Sequence, residues 1–267
     1  MKKLEGVYTT KRKDGSIYHR ASITHLNKHI SLGSYDTNEL AHSAYVFARE
    51  LLTSSTEQVT DYMDSCILPF TKWVVLLNYR DNQLYFHTPI YLKESYFLYY
   101  LSPTTILTFD RDDLFYYAKR TIMQRKRHLF VADYGMQVNI LNRYGIRSYS
   151  VCGRDYRFIN DDVYDFRYSN IEIINPYMGV QRVIKNEQIK YKTTIHLRSN
   201  YVVGYYETQS EAAIAYNKAV DQLRQNGFIK EFITNYIEDI SPREYAEIYS
   251  KISISKRLPT FSCNQSK

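Results

Sequence analysis

Residues 6–48 and 179–219 spell one pattern twice. The first copy opens Gly6-Val7, passes through a basic alternating stretch to Leu32-Gly33-Ser34-Tyr35-Asp36-Thr37, and continues into Ala41, Ala44, Tyr45 and Ala48. The second opens Gly179-Val180, reaches Val203-Gly204-Tyr205-Tyr206-Glu207-Thr208, and continues into Ala212, Ala215, Tyr216 and Ala219. From Gly33 and Gly204 onward the copies run at a constant offset of 171 residues. A repeat of this length commits the chain to building one small unit twice, with different sequence between.

Each copy reads as three strands and a helix. Ala21, Ile23, Ile30 and Leu32 alternate with polar residues, the period-two signature of antiparallel strands with one face buried. The pattern predicts strands at Val7 to Lys11, Ile17 to His25 and His29 to Gly33, with turns at Lys13-Asp14-Gly15-Ser16 and Asn27-Lys28. Asp36 or Thr37 suits an N-cap, and positions 40, 41, 44, 45, 48, 51 and 52 then recur at helical spacing. Alanines on the helix let it lie close on the sheet, with Tyr45 and Tyr216 filling the space beside them. In the second copy the middle strand runs from Lys190 to Leu197 with Thr193 and Ile195 inward. The turn falls at Arg198-Ser199-Asn200, and Thr208 with Glu211 has capping-box spacing.

A helix on one face leaves the other face of each sheet open. In the first copy that face carries Tyr8, Thr10, Arg12, Arg20, Ser22, Thr24, His29 and Ser31; in the second, Gln181, Arg182, Lys192, Thr194, His196 and Asn200. These are donors, acceptors and cations, the groups that reach base edges in a major groove while flanking cations hold phosphates. An ordinary solvated strand face is the bland alternative for one copy; its occurrence twice favours nucleic acid. The whole chain agrees, with 35 Lys and Arg against 28 Asp and Glu and a formal charge of +7. Such an excess suits a polyanionic partner.

The order strand, strand, strand, helix, with Gly-Val at the start, Leu-Gly-x-Tyr-Asp-Thr after the third strand and Ala-x-x-Ala-Tyr in the helix, resembles the apetala-two/ethylene-response-factor DNA-binding domain. The resemblance covers both repeats, and implies that the sheet reads double-stranded DNA through the outward positions above. Where that family carries arginines and tryptophans this chain has Tyr8, Thr10, His29 and Ser31, so the family's target sequence does not carry over.

Before the second repeat stands Arg157-Phe158-Ile159-Asn160-Asp161-Asp162-Val163-Tyr164-Asp165-Phe166-Arg167-Tyr168-Ser169-Asn170-Ile171. It resembles the HNH homing-endonuclease core, which in mobile nucleases is joined to an apetala-two-type domain. The ladder Ile159-Asn160, Asp162, Asp165, Arg167, Ser169-Asn170 is retained. Phe158 occupies the position of the histidine general base and Phe166 that of an asparagine. Metal-assisted cleavage needs a group to activate water and ligands for the ion, and phenylalanine supplies neither. The resemblance therefore implies a non-catalytic relic, whose Asp165, Arg167 and Asn170 tie a strand-loop-helix unit together.

Elsewhere the chain is less specific. The apolar run Trp73 to Leu77 predicts a buried strand, and Tyr85 to Tyr100 more strand. Lys119, Arg120, Arg125, Lys126 and Arg127 form a basic cluster suited to phosphates, as do Lys11, Lys13, Lys185, Lys190 and Arg198 around the repeats. Ile229 to Ile254 has helical spacing broken at Ser241-Pro242, and Ser255 to Lys267 reads as a frayed polar end. Cys66, Cys152 and Cys263 are widely spaced, which predicts free thiols, no zinc site and a reducing compartment. Neither the start at Met1-Lys2-Lys3 nor any apolar run has the length of a signal or a membrane span.

The expected architecture is α+β: an N-terminal DNA-binding domain (1–56), a central domain ending in the HNH-like core (57–175), a second DNA-binding domain (176–235) and a helical tail (236–267). The expected function is a non-catalytic, sequence-specific regulator of transcription that reads a bipartite site in double-stranded DNA, in the cytoplasm and on the nucleoid. It would use no cofactor, metal, membrane or small-molecule substrate, and homodimerisation would run through the central region. The alternatives are an HNH-type endonuclease with an atypical core and an integrase-like arm binder, the latter lacking any Arg-His-x-x-Arg.

Overall fold

The computed structural model describes residues 4–256 and residue 258. The protein is α+β, with several small antiparallel three-stranded sheets and few helices. Its chain divides into two compact units, residues 1–140 with 162–170 and residues 141–161 with 171–267.

The first unit opens with the first repeat. Strands β1 (Val7–Lys11), β2 (Ile17–His25) and β3 (Lys28–Tyr35) pair in that order. The β2–β3 turn is Leu26-Asn27, one residue earlier than expected, with φ of 44° and 61°. Both values are left-handed, as a two-residue hairpin turn matching strand twist requires. The Tyr79 hydroxyl pins this turn by donating to the carbonyls of His25 (3.0 Å) and Leu26 (3.4 Å). Helix α1 (Asn38–Thr53) starts at Thr37, whose hydroxyl accepts from the Leu40 N–H. Its fully buried Ala41, Ala44 and Ala48 lie on Ala21, Ile23, Ile30 and Leu32.

Trp73 to Leu77 do not form a strand. They lie in helix α2 (Phe70–Asn82), entered at Pro69 and ended at Gln83 in the left-handed region. The run is buried all round because one side of α2 packs on α1 and the other on β4 (Ile90–Leu92) and β5 (Tyr96–Tyr100). A helix enclosed on every side loses the periodicity that would distinguish it from a buried strand. Buried Asn78 joins the layers, accepting from the Leu92 N–H (2.9 Å) and donating to the Leu84 carbonyl (2.7 Å). Strand β6 (Ile106–Asp110) completes the second sheet. The short helix α3 (Leu114–Tyr117) and a third sheet, β7 (Ile122–Arg125), β8 (His128–Asp133) and β9 (Met136–Asn139), follow. The first repeat and α2 share one core, so packing does not break at residue 57.

In the second unit, β10 (Tyr156–Phe158) and β11 (Ile171–Ile173) form a hairpin ahead of the second repeat. The repeat comprises β12 (Val180–Lys185), β13 (Gln188–His196), β14 (Asn200–Tyr206) and α4 (Gln209–Gln225). Thr193 and Ile195 point inward and are fully buried, and Thr208 with Glu211 forms the capping box. Residues 228–240 are not helical, despite their spacing. They are held as an extended segment by Asn235, whose backbone and side chain bond Asn217 and Met178. Helix α5 (Pro242–Lys251) begins where expected, with Ser241 as N-cap and Pro242 in the first turn. Ser255 donates its N–H to the Val203 carbonyl and Leu258 is buried, so the end of the chain is packed as far as it is described. Residues 1–3, 257 and 259–267, with Cys263 among them, lie outside the described residues; Cys66 and Cys152 are free thiols. Among the described residues no helix is long and apolar enough to cross a membrane.

Candidate nucleic-acid interface

The two repeats share one detail that fixes which side chains face outward. In each sheet the register slips by one residue near the turn into the helix: Ala21 pairs with Gly33 but Ser22 with Ser31, and Thr193 pairs with Gly204 but Thr194 with Val202. Leu32 and Val203 are the extra residues, both buried. A bulge of this kind reverses strand parity beyond it. Ser34 and Tyr205 are thereby turned to the outer face, which strict alternation from the sequence misses.

On the first sheet the outer face presents cross-strand rows: Thr10 with Tyr18; Tyr8, Arg20 and Ser34; Ser22 with Ser31; and Thr24 with His29. Arg12, just past β1, lies over the Tyr18 ring at 5.1 Å, which holds its guanidinium along the sheet edge. Tyr8, Arg20, Thr24, His29 and Ser31 are exposed. Ser22 is only 9% exposed, so its neighbours close over it and it offers little to a partner.

On the second sheet the outer rows are Gln181, Lys192 and Tyr205; Thr194 with Val202; and His196 with Asn200. Arg182 does not belong to this face. It pairs with Tyr191, in register with the buried Tyr206, on the helix side of the sheet. Lys185 lies 3.9 Å above the Tyr205 ring. His196 Nδ1 and Asn200 Oδ1 are 2.8 Å apart, the ring N–H donating to the amide oxygen.

The charge of the two faces is alike. Residues 6–35 hold five Lys and Arg and one acid, Asp14; residues 177–206 hold five and one, Glu187. Both acids sit in the first hairpin turn, off the face. Asp14 accepts from the Ser16 hydroxyl (2.7 Å) and N–H (2.9 Å), and these bonds hold its carboxyl below the usual range.

The expected phosphate contacts separate into two groups. Lys11, Lys13, Lys185, Arg198, Lys119, Arg125, Lys126 and Arg127 are exposed, the last three at the tip of the β7–β8 hairpin. Lys190 is ion-paired with Glu207, and Arg120 is paired with Asp133 (3.0 Å) and stacked on Tyr116 (4.3 Å). Those two cations already have partners, so they contribute less to any phosphate surface.

The HNH-like stretch forms a strand-loop-strand unit, with a 3-10 turn at Tyr168–Asn170 where a helix was expected. Phe158 is buried in the β10 hairpin of the second unit, its ring edge-on to Tyr156 at 6.0 Å. Phe166 belongs to the first unit, where it stacks on Phe109 at 5.4 Å while residues 164–166 run beside β6. Both phenylalanines are core residues. Asp165 receives the Arg167 guanidinium at 2.9 and 2.6 Å, and Asn170 donates to the Asp165 carbonyl at 2.9 Å, so the retained polar residues brace the loop. Among the described residues no group of three His, Cys, Asp or Glu converges to hold a metal ion.

One feature had no signal in the sequence. At the end of the second sheet, Gln181, Thr194, His196 and Asn200 form one side of a cavity of about 370 Å³, with Tyr149, Arg154, Tyr216 and residues 230–233 around it. Its walls come from segments remote in sequence, which no local pattern links. Compared with family models, with curated proteins and with solved structures, the chain matches none.

Proposed function

We propose that this protein binds double-stranded DNA sequence-specifically through the outer faces of its two repeat sheets and acts as a regulator of transcription without cleaving the duplex. The repeats are read as modules of the apetala-two/ethylene-response-factor type, and the stretch between them as a degenerate HNH core from a mobile nuclease. The observation that carries this reading is the duplicated face: two sheets bulged at the same position, each with five cations nearby and its one acid in a turn. Amide, hydroxyl and imidazole groups beside cations are what base edges and phosphates recognise. Two such modules on one chain gain affinity for a bipartite site through effective concentration. The support for a non-catalytic role is that Phe158 and Phe166 are spent on packing and Asp165 on Arg167.

The test is selection of bound duplexes from random DNA, followed by footprinting with an Arg20→Ala/Thr24→Ala variant and a Lys192→Ala/His196→Ala variant. Each lost base-edge contact is expected to cost about 1–3 kcal/mol. Parental footprints from both variants would remove the two faces from the reading.

A further inference from the structure

The two sheets do not offer equivalent faces. Residues 230–233, with Tyr149 and Arg154, stand beside the end of the second sheet, so that four of its outer residues form one side of a cavity. Gln181, His196 and Asn200 stay exposed, so residues of the outer face also border this cavity. We propose that this cavity holds a single unpaired nucleotide, taken either as a free nucleoside monophosphate or as one nucleotide extruded from bound DNA.

Four observations carry the assignment. The volume of about 370 Å³ falls within the range of sites that enclose small ligands, roughly 300–1,000 Å³. Rings stand around it, among them Tyr149, Tyr177, Tyr216 and Phe232, and aromatic faces take any base by stacking. The His196–Asn200 pair brings an imidazole and an amide to the cavity wall, with Gln181 also in the lining. Amide and imidazole groups are among those that hydrogen-bond base edges. For the phosphate there is Lys230, whose ammonium already donates to the His196 carbonyl (3.0 Å) and has further N–H groups to offer, while Arg154 is engaged by Asp155 and Glu231 also lines the cavity.

Tyr149 adds a discriminating detail. Its hydroxyl is enclosed, yet it makes no well-formed hydrogen bond among the described residues. Burial raises its pKa, and the nearby Arg147 guanidinium offsets only part of that rise. Arg147 can only donate to the phenol oxygen, so the O–H itself is left to donate to a ligand's polar atom.

The inference rests on the DNA reading only in taking the outer side of the second sheet as a recognition surface. The experiment uses the full chain in two arms. In the first, AMP, GMP, CMP and dTMP are titrated by calorimetry. In the second, 2-aminopurine is placed at successive positions of the selected duplex, and its fluorescence rises where a base leaves the stack.

Binding of at least one monophosphate at millimolar or lower concentration, or a fluorescence rise at one position, is the expected result. Asn200→Ala and His196→Ala should weaken it about tenfold per lost base-edge contact. Tyr149→Phe should weaken it without lowering the melting temperature. Arg20→Ala should leave monophosphate binding unchanged. Monophosphate binding without duplex binding would support the cavity and sink the DNA reading. Duplex binding with neither monophosphate binding nor a fluorescence rise, or full binding by Asn200→Ala and Tyr149→Phe together, would overturn the cavity and leave the DNA reading standing.

Discussion

Gly6 lies so close under Tyr45 that a Cβ on the glycine would fall 2.1 Å from the tyrosine ring. The glycine sits at φ +74°, and its carbonyl accepts the Ser22 N–H at the bulge (3.0 Å). Gly179, Tyr216 and Thr194 repeat the arrangement, with φ +72°, a Cβ clearance of 2.5 Å to the ring and a hydrogen bond of 2.8 Å. The opening glycine and the helix tyrosine of each copy are therefore two halves of one contact that closes the bulge. Replacing Gly6 by alanine should cost about 2–5 kcal/mol, from left-handed strain and overpacking together. Gly15 has φ +86° but open space around it, so Gly15→Ala should cost only about 1 kcal/mol. Equal losses in a urea titration of the two variants would show that the tyrosine contact is not the cause.

The β7–β8 hairpin gives a second, electrostatic prediction. Arg125, Lys126 and Arg127 are exposed at its tip, whereas Arg120 is engaged by Asp133 and Tyr116. If the tip meets the backbone of bound DNA, each alanine there should lower the slope of log affinity against log salt by about 1 and leave sequence preference intact. Arg120→Ala should leave the slope alone. A slope indifferent to all three tip substitutions takes the hairpin out of the interface.

How far these features could be read in advance depended on whether their cause was local. The strands and helices of both repeats were legible because alternation, capping residues and glycines act within a few residues, and β1 and β2 fall at the expected limits. Trp73 to Leu77 in helix α2 carry no helical signal because tertiary packing encloses them on every side and erases the periodicity. Residues 229–240 show the opposite case: their helical spacing is overridden by the bonds of Asn235 to Asn217 and Met178, partners far away in sequence. Most of each outer face follows from alternation, but Arg182 lies on the helix side, and Ser34 and Tyr205, turned outward by the bulges, do not follow from it.

Alkaline pH should unfold the chain. Burial pushes the phenols of Tyr99, Tyr206 and Tyr216 up to about 12, and Tyr149 adds to the rise at Tyr216. In the unfolded chain a tyrosine ionises near pH 10. Because the folded pKa is the higher one, this contribution to stability is complete below pH 10 and is lost as pH rises from there to about 12. Absorbance at the phenolate band should show a late class of tyrosines titrating together with loss of circular dichroism. Smooth titration of every tyrosine near pH 10 with the fold intact would contradict it.

Phe166 tests the packing role of residues 157–171. Its ring stacks on Phe109 in the first unit, so Phe166→Ala should cost about 3–5 kcal/mol, as for other large buried side chains. The same account expects no nicking of the selected duplex with magnesium or manganese. Nicking that disappears on substitution of Asp161, Asp162 or Asp165 would restore the nuclease alternative.

The last prediction concerns the limits of the first repeat. Its helix α1 and the following α2 contribute to one core, with Leu51 and Leu52 buried alongside Leu68, Trp73, Val74 and Leu77. The Tyr35 hydroxyl reaches out of the repeat to the Ile67 carbonyl (3.4 Å), as Tyr206 does to that of Ser253 (2.9 Å) in the second copy. Each copy thus leans on the segment after its helix, as a unit of some fifty residues with a small core of its own generally must. Residues 1–56 expressed alone should be unfolded by circular dichroism and amide-proton dispersion. In the intact chain, Leu77→Ala should cost about 2–5 kcal/mol and speed hydrogen exchange at β2 and β3, although Leu77 lies outside the repeat. Cooperative unfolding of the isolated 1–56 fragment, with β2 and β3 exchange unaffected by Leu77→Ala, would mean that the repeat stands by itself and that α2 merely rests against it.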